Sequence, residues 1–169
     1  DCSPNTPESL INKYKTSLNL HYTAFNSNFG KNSLVSQWER CIELTKDESW
    51  LMLLGDDDVL DENFVEAFYS KIEDIEKVGS TVVRYASQYI GVNGEPLENF
   101  TLYKHPELEK ATDAFYRNAM GNSRSSLSEH IFSKEMYLKN RFKDFPLAWH
   151  SDDYAWLVFS GFNSIFAIK

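Results

Sequence analysis

Residues 50–60 read Trp-Leu-Met-Leu-Leu-Gly-Asp-Asp-Asp-Val-Leu, and no other stretch limits the fold of this chain so strongly. Trp50, Leu51, Met52, Leu53 and Leu54, bounded by Ser49 and Gly55, have the composition of a strand buried on both faces. Periodicity alone does not separate such a run from a buried helical segment; its length favours the strand. Asp56, Asp57 and Asp58 follow directly. Three like charges on consecutive residues repel one another and lose solvation beside a buried strand unless something positive sits among them. Carboxylate oxygens suit hard cations such as Mg²⁺ and Mn²⁺, and Mg²⁺ is commonly held by one or two carboxylates together with substrate phosphates. Open α/β sheets bind ligands just beyond the carboxyl ends of their strands, where this triplet falls. An acidic run can equally be a solvated loop or a helix cap, but Asp61 is available for capping, so that role does not need the triplet.

Bulk properties narrow the classes. The 169 residues fit one domain covering 1–169, and 42% hydrophobic with 15% aromatic residues can build a sizeable core. Lysine and arginine number 17 against 25 aspartates and glutamates, a net charge of −8 with no basic stripe, which argues against nucleic acid as a partner. An anionic ligand would therefore need a local metal or a local basic group. Cys2 and Cys41 are too few for a disulfide framework and read as free thiols, which leans towards a reducing compartment. The longest uncharged run, 154–168, is shorter than a bilayer requires and is interrupted by Ser160, Gly161 and Asn163. The chain opens at Asp1 without a methionine, so preceding sequence is expected.

The pattern along the chain alternates. Thr6 and Pro7 start a short helix to about residue 15, and alternation at Leu18, Leu20 and Tyr22 predicts a strand over 18–25. Residues 26–32 are a loop, and helical spacing of Leu34, Val35, Trp38, Cys41 and Ile42 predicts a helix over 33–46. After the triplet, Asp61 caps a helix carrying Phe64, Phe68, Ile72 and Ile75 and ending near Gly79. A strand over 80–91 meets an Asn93-Gly94 turn, as in a hairpin or extended excursion. Pro106 starts a helix to about Met120 with Leu108, Ala111, Ala114 and Phe115 inward; a polar loop over 121–126, strand-like 127–132 and a helix over 134–140 follow. Ser151 is read as the N-cap of a last helix to about Ser160, with Asp152 and Asp153 in its first turn. Those two acids either complement the helix dipole or present a general base. Alternating helices and strands predict an α/β fold with a mostly parallel sheet and right-handed crossovers.

Four segments together resemble family 2 glycosyltransferases. Asp1-Cys2-Ser3-Pro4-Asn5 is similar to the turn after the second strand whose acidic residue contacts the nucleobase; Asn28-Phe29-Gly30 with the helix from Ser36 is similar to the family's Asn-x-Gly and following helix. Leu53 through Leu60 resembles the Asp-x-Asp segment, and Ser151-Asp152-Asp153 resembles the Glu-Asp pair opening the helix with the catalytic base. Many members have Asp where this chain has Gly55, and the family begins with an apolar strand and a Thr/Ser-Tyr-Asn turn that nothing before Asp1 supplies. The resemblance thus implies a GT-A, Rossmann-like fold incomplete at the N-terminus.

It also implies an activity: inverting transfer of a sugar from a nucleoside diphosphate sugar, UDP-type, to a glycan or lipid-linked acceptor in polysaccharide or glycan synthesis, with Mn²⁺ or Mg²⁺ as cofactor. Asp58 with Asp56 would hold the metal, Asp57 sharing the work in the alternative register. Asp1, Ser3, Asn28, Gly30, Asp56 and Asp57 would bind the donor. Asp153 would be the base and Asp152 the alternative, while Arg124 would face the acceptor or close over the donor. Location at the inner, cytoplasmic face of a membrane, with peripheral association, is a family expectation. Two rivals share these residues: a metal-dependent nucleotide-sugar hydrolase, and a non-catalytic carbohydrate- or nucleotide-binding module. Trp149 could stack on a sugar but is read as core; His21, His105, His130 and His150 show no metal-ligand spacing, and His150 beside Asp152 stays in view.

Overall fold

A computed structural model of the chain describes residues 1–97 and 102–169. Among the described residues five strands, β1 (Trp50–Met52), β2 (Val82–Tyr85), β3 (Leu108–Lys110), β4 (His130–Ser133) and β5 (Ser164–Ile168), form one sheet in the order β1-β4-β2-β5-β3. β4 lies antiparallel between β1 and β2, β2 and β5 are parallel, and β3 is antiparallel to β5. The carboxyl ends of β1, β2 and β5 therefore share one edge of the sheet with the start of β4.

Side-chain alternation along the strands divides the interior into two layers. Apart from α1 (Glu8–Tyr14), which buries no residue, the helices cover the sheet: Leu51, Val82, Phe132 and Ile165 point to one face, where they meet α2 (Leu34–Ile42), α5 (Ala111–Ala119), α6 (Lys134–Asn140) and α7 (Ser151–Phe159). Trp50, Met52, Val83, Ile131, Phe166 and Ile168 point to the other, against α3 (Phe64–Ser70) and α4 (Ile72–Lys77). The first layer is aromatic: Phe132 lies 5.4 Å from Phe159 and 5.8 Å from both Phe142 and Trp156, ring centre to ring centre. Such offset and edge-on pairs add to the burial of their large apolar area.

Local chemistry sets the helix ends. Ser33 Oγ accepts from the Ser36 amide at 2.9 Å and donates to Asp144 at 2.7 Å, starting α2 and tying it to the loop before α7. α4 ends in a Schellman motif: Gly79 sits at φ +67°, its amide donates to the Glu76 carbonyl, and the Ser80 amide donates to Ile75. The Asn93-Gly94 excursion forms as expected, with the Gly91 amide on the Glu95 carbonyl and the Leu97 amide on Tyr89.

Several expectations change. Residues 18–25 are not a strand: Leu18, Leu20 and Tyr22 alternate but stay exposed, because no described strand lies alongside to complete a ladder. The sheet is mixed, with a single parallel pair among its four ladders. This follows from β4, which runs antiparallel between β1 and β2, and from β3, an antiparallel edge strand within the stretch read as one helix from Pro106. Leu108 is consequently exposed on a sheet edge rather than inward. The helix expected between Asp61 and Gly79 breaks at Lys71 into α3 and α4, and Asp61 accepts from the Asn63 amide in a turn before α3 rather than capping it. Ser151 is the first residue of α7, not its cap, and Trp149 is 72% exposed rather than core.

Because Phe132 is fully buried among four aromatic rings, Phe132→Ala should lower stability by about 3–5 kcal/mol in urea denaturation. Val59→Ala, at an exposed position, should stay within about 0.5 kcal/mol.

Candidate functional site

The acidic triplet leaves β1 at the shared edge of the sheet. Asp56, Asp57 and Asp58 are all exposed, and no described lysine or arginine pairs with them. The carboxylates of Asp57 and Asp58 fold back over Gly55: a Cβ there would lie 2.9 Å from Asp57 Oδ1 and 2.9 Å from Asp58 Oδ2. The Gly55 amide donates to Ser128 Oγ at 2.9 Å, joining this turn to the loop before β4. Two converging carboxylates over a side-chain-free backbone suit a hard cation whose shell is completed by water and phosphate. Among the described residues no group of three or more His, Cys, Asp or Glu could cage a metal alone. Asp57 and Asp58 are thus brought together over Gly55, with Asp56 next to them in the chain.

A second cluster forms around Asp1. Its carboxylate accepts from the Phe29 and Gly30 amides at 2.9 Å each and from Arg40 Nη2. A Cβ on Gly30 would meet Asp1 Oδ2 at 2.8 Å, so glycine is what lets the carboxylate approach. Arg40 is held between the rings of Phe25 and Phe29, at 3.8 and 4.1 Å, and donates to the Ser27 carbonyl. Asn28 Oδ1 accepts from the Lys31 amide at 2.7 Å, and Ser3 Oγ from the Asn5 amide at 3.3 Å. Asp1, Asn28 and Gly30 are thus together, with Ser3 in the adjacent turn.

The third group lies where α7 begins. A cleft there is lined by Arg84 of β2, Asn118 of α5, Arg124 of the loop before β4, His130 of β4, and Asp153 and Trp156 of α7. Asp153 accepts from Asn118 Nδ2 at 3.1 Å and lies 3.0 Å from His150 Nδ1. Asp152 has its carboxyl raised above the ordinary value, first by burial and then by the charge of Asp153. The chain reaches α7 through an unusual backbone: Leu147, Ala148 and His150 all have positive φ, 58°, 57° and 62°, although none is glycine. Phe145 stacks edge-on against Tyr154 and its amide donates to Ser151 Oγ, which holds that turn in place.

Beneath the cleft sits a buried set of charges that the sequence reading did not single out. Arg84, 3% exposed, and Arg117 both donate to Glu109, and Arg117 Nη2 lies 3.0 Å from His105 Nδ1. Burial opposes ionisation of Glu109, but the hydrogen bonds from Arg117 and Arg84 outweigh it and hold the carboxyl low. Glu129 accepts from Ser87 Oγ at 2.5 Å and the Ser126 amide at 3.1 Å, and burial still raises its carboxyl. The available signal was an arginine inside an otherwise apolar strand, Val82-Val83-Arg84-Tyr85, which demands a buried acid.

Two histidines near this cluster are held neutral. Burial, then the charges of Arg84 and Arg117, lower His105 to about 4. Burial lowers His130 to about 3, despite the 2.7 Å bond from its Nδ1–H to the Ser126 carbonyl; its ring stacks on Trp156 at 4.2 Å. Since these folded values lie below the ordinary histidine value near 6.5, the unfolded chain takes up protons first as pH falls. Stability should be full above about pH 6.5 and decline towards pH 4, His130 contributing roughly 1.4 kcal/mol per pH unit. Urea denaturation from pH 7.5 to 4 should show this loss, with a shallower slope in His130→Gln.

Among the described residues no helix is long and apolar enough to cross a membrane. No curated protein matches the sequence. The crystal structure of S. aureus TarS, residues 1–349, superimposes with a TM-score of 0.65 at 17% identity, covering 99% of this chain and 46% of that one. The chain therefore spans about half the length of that structure, and the likeness supports the expected GT-A architecture, a sheet flanked by helices. The family model for Glycosyl transferase family 2 matches residues 1–164 and so takes in the Asp1 cluster, the acidic turn and the cleft at α7 alike: the chain belongs to glycosyl transferase family 2.

Proposed function

We propose that this chain is the sugar-transferring part of an inverting glycosyltransferase, with a nucleoside diphosphate sugar, UDP-type, as donor and a glycan or lipid-linked hydroxyl as acceptor, in polysaccharide or glycan synthesis. The observation that carries the reading is the family match over 1–164 combined with two acidic features on one edge of the sheet: the Asp57–Asp58 turn after β1 and the Asp153-lined cleft. A divalent cation on Asp58, with Asp56 or Asp57 as its second carboxylate, would stabilise the charge that develops on the departing diphosphate.

The chain's own side chains have three tasks. Asp153, aimed by Asn118 and His150, accepts the proton of the acceptor hydroxyl as its oxygen bonds to the anomeric carbon. The bond from that carbon to the diphosphate breaks on the opposite face, and its electron pair leaves with the phosphate. Asp152 is the weaker candidate because it does not line the cleft. Asp1 fixes the Phe29–Gly30 backbone and Arg40, so its part in donor binding is to hold the shape of the loop at residues 26–30.

The deciding experiment is calorimetric titration with UDP, with and without Mn²⁺. Metal-dependent binding should vanish in Asp58→Ala and weaken in Gly55→Ala, whose methyl group displaces both carboxylates without touching the core. Absence of binding under either condition would reject the donor site and favour a non-catalytic module. In a transfer assay Asp153→Asn should reduce turnover by about 10²–10⁴-fold with metal-dependent UDP binding unchanged. Donor turnover undiminished by omission of acceptor would instead identify a hydrolase.

A further inference from the structure

Among the described residues, three buried N–H groups have no hydrogen-bond acceptor: Arg84 Nε, Arg124 Nη1 and Trp156 Nε1. All three residues line the cleft at α7, and Arg84 and Trp156 are each only 3% exposed. A buried donor without an acceptor is costly, so three on residues around one space form a shared preference for a ligand rich in acceptor atoms.

The charge count decides what kind of acceptor. Glu109 is occupied by Arg84 and Arg117, Glu129 by Ser87 and the Ser126 amide, and Asp153 by Asn118 and His150. Arg124 stacks on the ring of Tyr89 at 4.1 Å and forms no ion pair with any described carboxylate. A hydroxyl offers three N–H groups a single oxygen and gives Arg124 no direct ion pair beyond the through-space pull of Glu129. An oxyanion answers both, and guanidinium groups bind carboxylate and phosphate through charge-assisted hydrogen bonds.

We infer that this cleft seats the oxygens of a carboxylate or phosphate carried by the acceptor, on Arg124 with Trp156 and Arg84 behind it. The inference rests on the transferase reading for its acceptor role and deepens it: the acceptor is an anionic hydroxy compound. Asp153 lines the same cleft and repels an anion, so the anionic group lies on the Arg124 side and the reacting hydroxyl faces Asp153. One molecule is then held at two points, which fixes the direction of attack.

The test uses inorganic phosphate on the whole chain, read by the indole N–H resonance of Trp156, which Trp156→Phe identifies by its disappearance. Ionic strength is held constant with sodium chloride. Phosphate should shift this resonance to saturation, Arg124→Gln should weaken the effect about tenfold or more, and Arg124→Lys should restore part of it. No phosphate-specific shift, or equal affinity in Arg124→Gln, would overturn the site. The titration is then repeated with saturating UDP and Mn²⁺. Retained phosphate binding places the site on the acceptor side; displacement by UDP would assign it to the donor phosphates and overturn the acceptor role. Failure of UDP to bind at all would remove the transferase reading and the acceptor role with it, while the oxyanion site would still stand or fall on the phosphate titration.

Discussion

The antiparallel seating of β4 between β1 and β2 is the constraint on which the rest of this molecule depends. It pairs Leu51 and Val82 with the same residue, Phe132, so one side chain anchors the aromatic layer from the centre of the sheet. It also brings the loop that precedes β4 to the edge where β1 and β2 end. From there Ser128 holds the Gly55 amide, Glu129 holds Ser87, His130 stacks on Trp156, and Arg124 enters the cleft. A one-residue slip of β4 would reverse its faces and detach all four contacts together. Packing of the core and assembly of the site are therefore consequences of a single register.

The buried charges follow from the same geometry. Arg84 on β2 reaches Glu109 on β3 across the intervening β5, and Arg117 joins from the helix that follows β3. Taking such groups out of water opposes folding, and the return comes only when every partner is present. Removing Glu109 would leave two guanidinium groups without their carboxylate under the cleft, a larger penalty than the loss of one favourable contact. The cluster is best understood as fixing where Arg84 stands rather than as a source of stability.

Much of this was legible in the chain. The apolar run ending in three aspartates located the acidic turn and β1, although β1 is a half-buried edge strand ending at Met52 rather than one buried on both faces, and Ser33, Gly79 and the Asn93-Gly94 pair marked ends that the structure keeps. Helix α6 lies over the residues expected for it, and Asp152 and Asp153 are in the first turn of α7. What was missed has a common cause: ladders are non-local. Residues 18–25 alternate like a strand but have no described neighbour to pair with, whereas β3, of three residues with an exposed-intermediate-exposed pattern, becomes a strand only because β5 lies beside it. The convergence of Asp57 with Asp58 and the ties from Asp153 to Asn118 and His150 likewise depend on backbone paths that spacing along the chain does not encode.

The left-handed residues ahead of α7 carry a consequence for how the site responds to change elsewhere. Leu147, Ala148 and His150 occupy a backbone region that disfavours side chains by about 1–2 kcal/mol each, so the turn does not hold its own shape. Its conformation is imposed from outside, by Ala148 buried in the aromatic layer and by Phe145 against Tyr154. The orientation of the first turn of α7, and with it the two carboxylates, is thus coupled to the integrity of packing some distance away. Loosening that packing would let the turn relax like a released spring and swing Asp152 and Asp153 before the sheet itself gave way, so a weakened variant would lose alignment of the site while still folded.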